Sequence, residues 1–284
     1  MYENGQLDSL YQTGVPLEDI ERVKKDPKLS KELHIAPELA TYYYGFNNTK
    51  PPFDKLLVRK AFIAAIDRQT LIDTVLKGEQ KPALTFTAPG VFGHVDGMKD
   101  KVGVPFDPAS ARKYLANAGY PGGKGLPELT LMYNTAEGHK KIAEAIQAMW
   151  RRHLGVEVRV ANQEWKVFLK TLQTDAPQIF RMGWSADYPD ANNWLNDVFH
   201  SRSASNYAKF RNPGFDELVE MAAGERDSSK RLELYREAER VLVDTDAAIA
   251  PIYFYTSVQL TKPYLERTYA PFGGEHFKSW RLKR

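Results

Sequence analysis

Arg181 asks first for a chemical explanation. It lies in an otherwise apolar run, Ile179-Phe180-Arg181-Met182, and a guanidinium withdrawn from water needs an acid, a ligand, or an edge strand from which it reaches solvent. Six residues on, Asp187 precedes Tyr188-Pro189-Asp190, a setting in which an aspartate organises a turn or presents a carboxylate to a cation. Asp187 and Asp190 as a pair would suit glycoside hydrolysis, where two carboxylates flank the scissile bond. Three positions apart in a proline-containing turn, they have no reason to flank anything. The chain has no Gly-x-Ser-x-Gly elbow and no His-Glu-x-x-His, so the commonest serine-hydrolase and zinc-protease signatures are missing. Gly119 to Gly125 superficially suggests a phosphate loop, but Ala118 stands where the first glycine belongs and Gly125 where Ser or Thr belongs. Six histidines (His34, His94, His139, His153, His200, His276) fall at no metal-ligating spacing, and His139 reads as a surface residue at a helix start, near Asn134.

The elements that must hold these residues follow from hydrophobic period and punctuation. Residues 16 to 33 carry Ile20, Val23 and Leu29 on a weakly periodic helix, and Leu39 to Phe46 reads as an aromatic strand. Asp54 can cap a helix with Leu57, Val58, Ala61, Phe62, Ala65 and Ile66 on one face. Pro82 to Pro105 reads as a long surface connection. Asp107-Pro108 pairs an N-cap with proline at the first helical position, and Gly119 closes that helix. Then come a strand at 129–133, a helix from His139 to Leu154 stopped by Gly155, a strand at 156–160, a helix from Trp165 to Leu172 and a strand at 178–182. That alternation predicts βαβ units and parallel pairing. Helices at about 214–223 and 229–244 precede an apolar strand from Ile249 to Val258. In open α/β sheets ligands bind beyond the carboxyl ends of the strands. Asn134, Asn162 with Trp165, and Gly183-Trp184-Ser185-Ala186-Asp187-Tyr188 each follow one of these three strands. Singly, the asparagines read as turn residues and the tryptophans as core; three loops converging on one sheet end read as a site.

Composition narrows the classes. Hydrophobic residues are 43% and charged residues 26% of 284, values of a globular protein. Lys and Arg exceed Asp and Glu by 39 to 36, and the basic clusters are short and scattered, so no nucleic-acid footprint is present. No run approaches a membrane span. The absence of cysteine removes disulfides, thiol nucleophiles and thiolate metal sites, and no cofactor is implied. The first residues, Met1-Tyr2-Glu3-Asn4-Gly5, lack the pattern of a signal peptide; the chain reads as cytosolic or as a fragment.

Taken together, the motifs are specific. Tyr42-Tyr43-Tyr44-Gly45-Phe46-Asn47-Asn48-Thr49-Lys50-Pro51-Pro52-Phe53, Val58-Arg59-Lys60-Ala61-Phe62, Ala65-Ile66-Asp67-Arg68, Tyr133-Asn134-Thr135, Asn162-Gln163-Glu164-Trp165-Lys166, Gly183 to Tyr188, and Pro251-Ile252-Tyr253-Phe254-Tyr255 resemble the family 5 extracellular solute-binding proteins, the peptide receptors of ABC importers. The resemblance runs in order along nearly the whole chain and implies the C-terminal half of such a receptor. It implies an α/β lobe of the periplasmic-binding-protein kind, with a mixed, largely parallel sheet flanked by helices. Residues 1–36 would be a remnant of the first lobe leading to the hinge, 37–250 the second lobe, and 251–284 the return across the hinge. The implied function is capture of short peptides between two lobes in the periplasm and delivery to an inner-membrane permease, without catalysis; a periplasmic hydrolase using Asp187 as acid is the alternative. By position, Asp187 would meet a peptide ammonium, Arg181 and His139 a ligand carboxylate, and Trp165 and Trp184 the side chains, while Asn134, Gly183, Ser185, Tyr43 and Tyr253 would line the cleft. Gly45 departs from the family at a position where an acid can stand beside that cleft.

Overall fold

The computed structural model describes residues 1–11, 14–272 and 275–283. Its frame is a six-stranded sheet built from β1 (Leu33–Phe46), β2 (Lys81–Pro82), β3 (Thr130–Asn134), β4 (Arg159–Gln163), β5 (Ile179–Ser185) and β6 (Ile249–Leu260), in the order β2-β6-β1-β5-β3-β4. Among these strands β3/β4 and β3/β5 pair in parallel, while β1/β5, β1/β6 and β2/β6 are antiparallel. The sheet is mixed, as expected, but not largely parallel. The βαβ alternation dictates direction only between residues 130 and 185. The direction of β1 and β6, neighbours some 200 residues apart in sequence, is not encoded in local periodicity.

Strand alternation divides the aromatic run of β1 between two cores. Tyr42, Tyr44 and Phe46 face the first, beneath α1 (Leu56–Ala64), α2 (Pro108–Asn117) and α3 (Glu137–Leu154). Leu39 and Tyr43 face the second, beneath α4 (Trp165–Asp175), α5 (Ala191–Phe199), α6 (Pro213–Gly224) and α7 (Ser228–Arg240). A third, small cluster joins Tyr2, Val15, Ile20, Val23 and Leu29 to Val258 and Leu260. There the start of β1 pairs with the end of β6, from Leu33↔Leu260 to Pro37↔Thr256, before a register shift between Pro37 and Thr41.

Caps behave as their chemistry requires. Asp107 accepts from the backbone N–H groups of Ala109 and Ser110, Glu164 from those of Lys166 and Val167, and Gly155 closes α3 in the left-handed region at φ 70°. Asp54 does not cap α1; Lys55 stands there without a side-chain cap. Two boundaries move. Val156 and Val158 are buried as their alternation predicts, yet ladder pairing in β4 starts only at Arg159. β5 continues through Gly183, Trp184 and Ser185, because β1 supplies partners as far as Ala40↔Ser185.

The 82–105 segment is not a surface connection. Ala83, Phe86, Ala88, Val95 and Val102 are buried in the second core. The buried Glu239 carboxylate on α7 accepts from the Phe86 and Thr87 backbone N–H groups and from the Thr87 hydroxyl. Backbone that would be satisfied by water in a surface loop is satisfied here by one carboxylate, whose own pKa burial pushes up against those bonds.

Candidate functional site

The carboxyl ends of β3 and β5 and the N-terminus of α3 lie beside the middle of β1 and β6, and Arg181 stands at their centre. It is 8% exposed. Its Nη1 donates to Asn134 Oδ1 at 3.0 Å, its Nη2 donates to the Tyr255 hydroxyl, and its Nε has no partner among the described residues. The guanidinium lies 4.6 Å from the centre of the Tyr42 ring, and Tyr42 stacks on Tyr253 at 4.8 Å. No carboxylate pairs with it among the described residues. Burial opposes its charge, but the surrounding Tyr255, Tyr42 and Tyr253 outweigh that and its pKa is raised. The group is a cation held by hydroxyls, an amide and a π face, with bonding capacity left over.

His139, at the start of α3, is no simple surface residue. Its ring lies 5.6 Å from that of Tyr42. Burial first, then the Arg181 charge, push its pKa down to about 3, so the imidazole is neutral at ordinary pH. His139, Tyr253 and Tyr255 border a cavity of about 360 Å³. A second cavity, about 260 Å³, is bordered by Arg181, Gly183, Trp184, Ser185, Tyr255 and Glu38. Gly183 borders the second cavity, where a Cβ would come within 3.3 Å of both Arg181 Nη2 and the Tyr255 hydroxyl, a tight fit that would displace them.

Trp184 projects to the opposite face of β5 and packs partly against the second core. Asp187 follows the strand with its side chain exposed. Asp190 is fully engaged, capping α5 through the Asn192 N–H at 2.9 Å and gripping Arg231 at 2.7 and 2.9 Å, so it is not a partner for Asp187.

Two predicted residues stand apart. Tyr43 is 2% exposed and packs edge-on against Phe86 and Phe199; it belongs to the second core because it alternates with Tyr42. Trp165, 42% exposed, lies at the start of α4 against Phe168. Gly45 does not border a cleft either, since a Cβ at that position would overlap the Phe180 ring. Three residues were missed. Tyr255 was detectable as the i+2 neighbour of Tyr253 on its strand, and Tyr42 as the residue beside Tyr43 that alternation sends to the other face. Glu38, whose pKa burial raises and which borders both cavities, owes its place to the β1 register shift, which no local pattern announces.

Residues 1–206 match the family described as bacterial extracellular solute-binding proteins, family 5 Middle. The chain belongs to this family. Among its family 5 relatives, the periplasmic oligopeptide-binding protein OppA of Salmonella typhimurium is 37% identical over 270 residues, covering 93% of this chain and 48% of the relative. The oligopeptide-binding protein OppA of Bacillus subtilis is 35% identical over 265 residues, covering 92% and 48%. The Escherichia coli murein tripeptide binding protein MppA superposes with TM-score 0.85 at 31% identity over 100% of this chain and 55% of its own. Haemophilus influenzae OppA in complex with RPPGFSPFR gives 0.84 at 31%, again over 100% and 55%. This family 5 chain therefore spans about half the length of the relatives it matches, and its fold is that of periplasmic peptide-binding proteins. These relatives are substrate-binding proteins rather than enzymes.

Proposed function

We propose that this chain supplies one lobe and the hinge strands of a periplasmic receptor that captures short peptides for an inner-membrane ABC permease, and that it does no chemistry on them. In this reading residues 37–250 are the lobe, while 1–36 and 251–284 lead to and from a first lobe that completes the site. The observation that carries it is the buried Arg181, with no acidic partner among the described residues, at the same sheet end as the exposed Asp187. A cation and a carboxylate, each with free bonding capacity and separated along one strand end, complement a zwitterion with backbone between its charges. Asp187 would take the ammonium, Arg181 a carboxylate, with neutral His139 beside it as a hydrogen-bonding neighbour. Asn134 would orient Arg181. Gly183 and Ser185 would offer strand backbone, Trp184 and the more distant Trp165 would wall side-chain pockets, and Tyr253 would support the Tyr42 face. The peptide-binding names of the relatives support the same class of ligand.

With one wall of the site present, Asp187 meets a ligand in water while Arg181, 8% exposed, offers little accessible surface, and affinity for trialanine should be weak, about 1 mM or poorer. NMR titration should nevertheless perturb Trp184 and Gly183, with trialanine preferred over both its N-acetylated and its amidated forms. Arg181→Met should erase the preference for the free carboxylate and leave that for the free ammonium. Cleavage of the peptide, or equal response to all three ligands, would contradict the proposal.

A further inference from the structure

Asp187 and Trp184 have one neighbour in common. Asn193, the third residue of α5, is 2% exposed, and every hydrogen-bonding position of its amide is used. Its Oδ1 accepts from Trp184 Nε1 at 3.1 Å and from the Asp187 backbone N–H at 2.9 Å. Its Nδ2 donates to Asp187 Oδ2 and to Asp197 Oδ2, each at 3.1 Å. The amide has only one workable orientation: reversed, it would set its NH₂ against two donors and its oxygen against two carboxylates. The helix that carries it is anchored by contacts of its own. Trp194, Leu195, Val198 and Phe199 are buried in the second core, and Asp190 caps its start while bound to Arg231.

We infer that Asn193 is a positioning residue, whose single side-chain amide places the Asp187 carboxylate and the Trp184 indole relative to each other for ligand recognition. Asp187 is otherwise free: its side chain is exposed and its Oδ1 accepts from no described residue. Without Asn193 it would sample several rotamers, and a ligand would have to order it. With Asn193, one oxygen is held and the other is presented. The same amide keeps Trp184 from rotating away from the strand end, so the distance between ammonium site and first side-chain pocket is set by one residue in a rigid helix. This role rests on the peptide-receptor reading, and the test separates the two.

The test uses the intact chain, with trialanine and N-acetyl-trialanine as probes. Asn193→Leu should move the Trp184 indole N–H resonance upfield and reduce the preference for trialanine about threefold, the scale of a solvent-exposed charge contact. In an Asp187→Asn background the same change should cause no further loss of preference, because the two residues act as one unit. Asn193→Ala removes the same four bonds without the bulk of leucine, so it should also move the indole resonance upfield; it carries the test if the leucine variant does not fold. An unmoved indole in Asn193→Leu or in Asn193→Ala, or an additive loss in the Asp187→Asn background, would overturn the inference. If the unmutated chain shows no preference for the free ammonium, the peptide reading falls, and the indole resonances alone decide whether Asn193 holds Trp184.

Discussion

His139 is opposed twice when it takes up a proton, by burial and by the neighbouring Arg181 charge, which together bring it to about 3 from an ordinary 6.5. An unfolded chain accepts that proton near pH 6.5, whereas the folded chain refuses it. The contribution of neutral His139 to stability is therefore complete above pH 6.5 and is lost progressively as pH falls toward about 3. His139→Gln should abolish this part of the acid destabilisation, so wild type and variant converge or cross on acidification. The check is urea unfolding across pH, with the imidazole titration followed by NMR; a histidine titrating near its ordinary value would contradict the geometry. A carboxylate bound to Arg181 should also raise the His139 pKa, since it offsets the charge that depresses it.

At the scale of elements, β1 and β5 meet at Gly45↔Phe180, and the Phe180 ring fills the space where any larger residue at 45 would place its Cβ. Gly45→Ala should destabilise the chain by about 1–3 kcal/mol through overpacking. Phe180→Ala should relieve that strain while opening a cavity of its own, so the double variant should be more stable than the sum of the single losses. Equilibrium denaturation of the four proteins measures the coupling, and additivity would mean that the ring and the glycine do not interlock. The glycine thus serves the fold; it does not open the site. The same register carries Tyr44↔Arg181 and Tyr42↔Gly183, so the pairing that buries the core also lays Arg181 beside the tyrosine faces.

Across the whole molecule, the two large cores lie on opposite faces of one sheet and share its strands, which couples them into one cooperative body. The third cluster has seven buried residues and rests on the far ends of β1 and β6. Amides of Leu33–Ala36 and Ser257–Leu260 should open with a free energy at least about 1 kcal/mol below that of Tyr42–Gly45. Native-state hydrogen exchange checks this; equal protection along both strands would show that the cluster unfolds only with the rest.

What the sequence determined by itself depends on near neighbours in the chain, and even there Asp54 reads as a cap where Lys55 stands. Asp107 begins its helix and Gly155 ends its own where cap chemistry places them, the 3.6-residue faces of α1 and α3 are buried, and the βαβ stretch pairs in parallel. The charge of Arg181 in an apolar strand was legible too, as a question with three answers. Tertiary structure chose among them. Its partners Asn134 and Tyr255 come from 47 residues before and 74 residues after it. It also set the antiparallel direction of β1 and β6, drew the 82–105 segment into the core around Glu239, and sent Tyr43 inward while Tyr42 faced the guanidinium. Each of these rests on pairing or burial between segments far apart in sequence, and local propensity carries no information about which distant strand will arrive, or in which register.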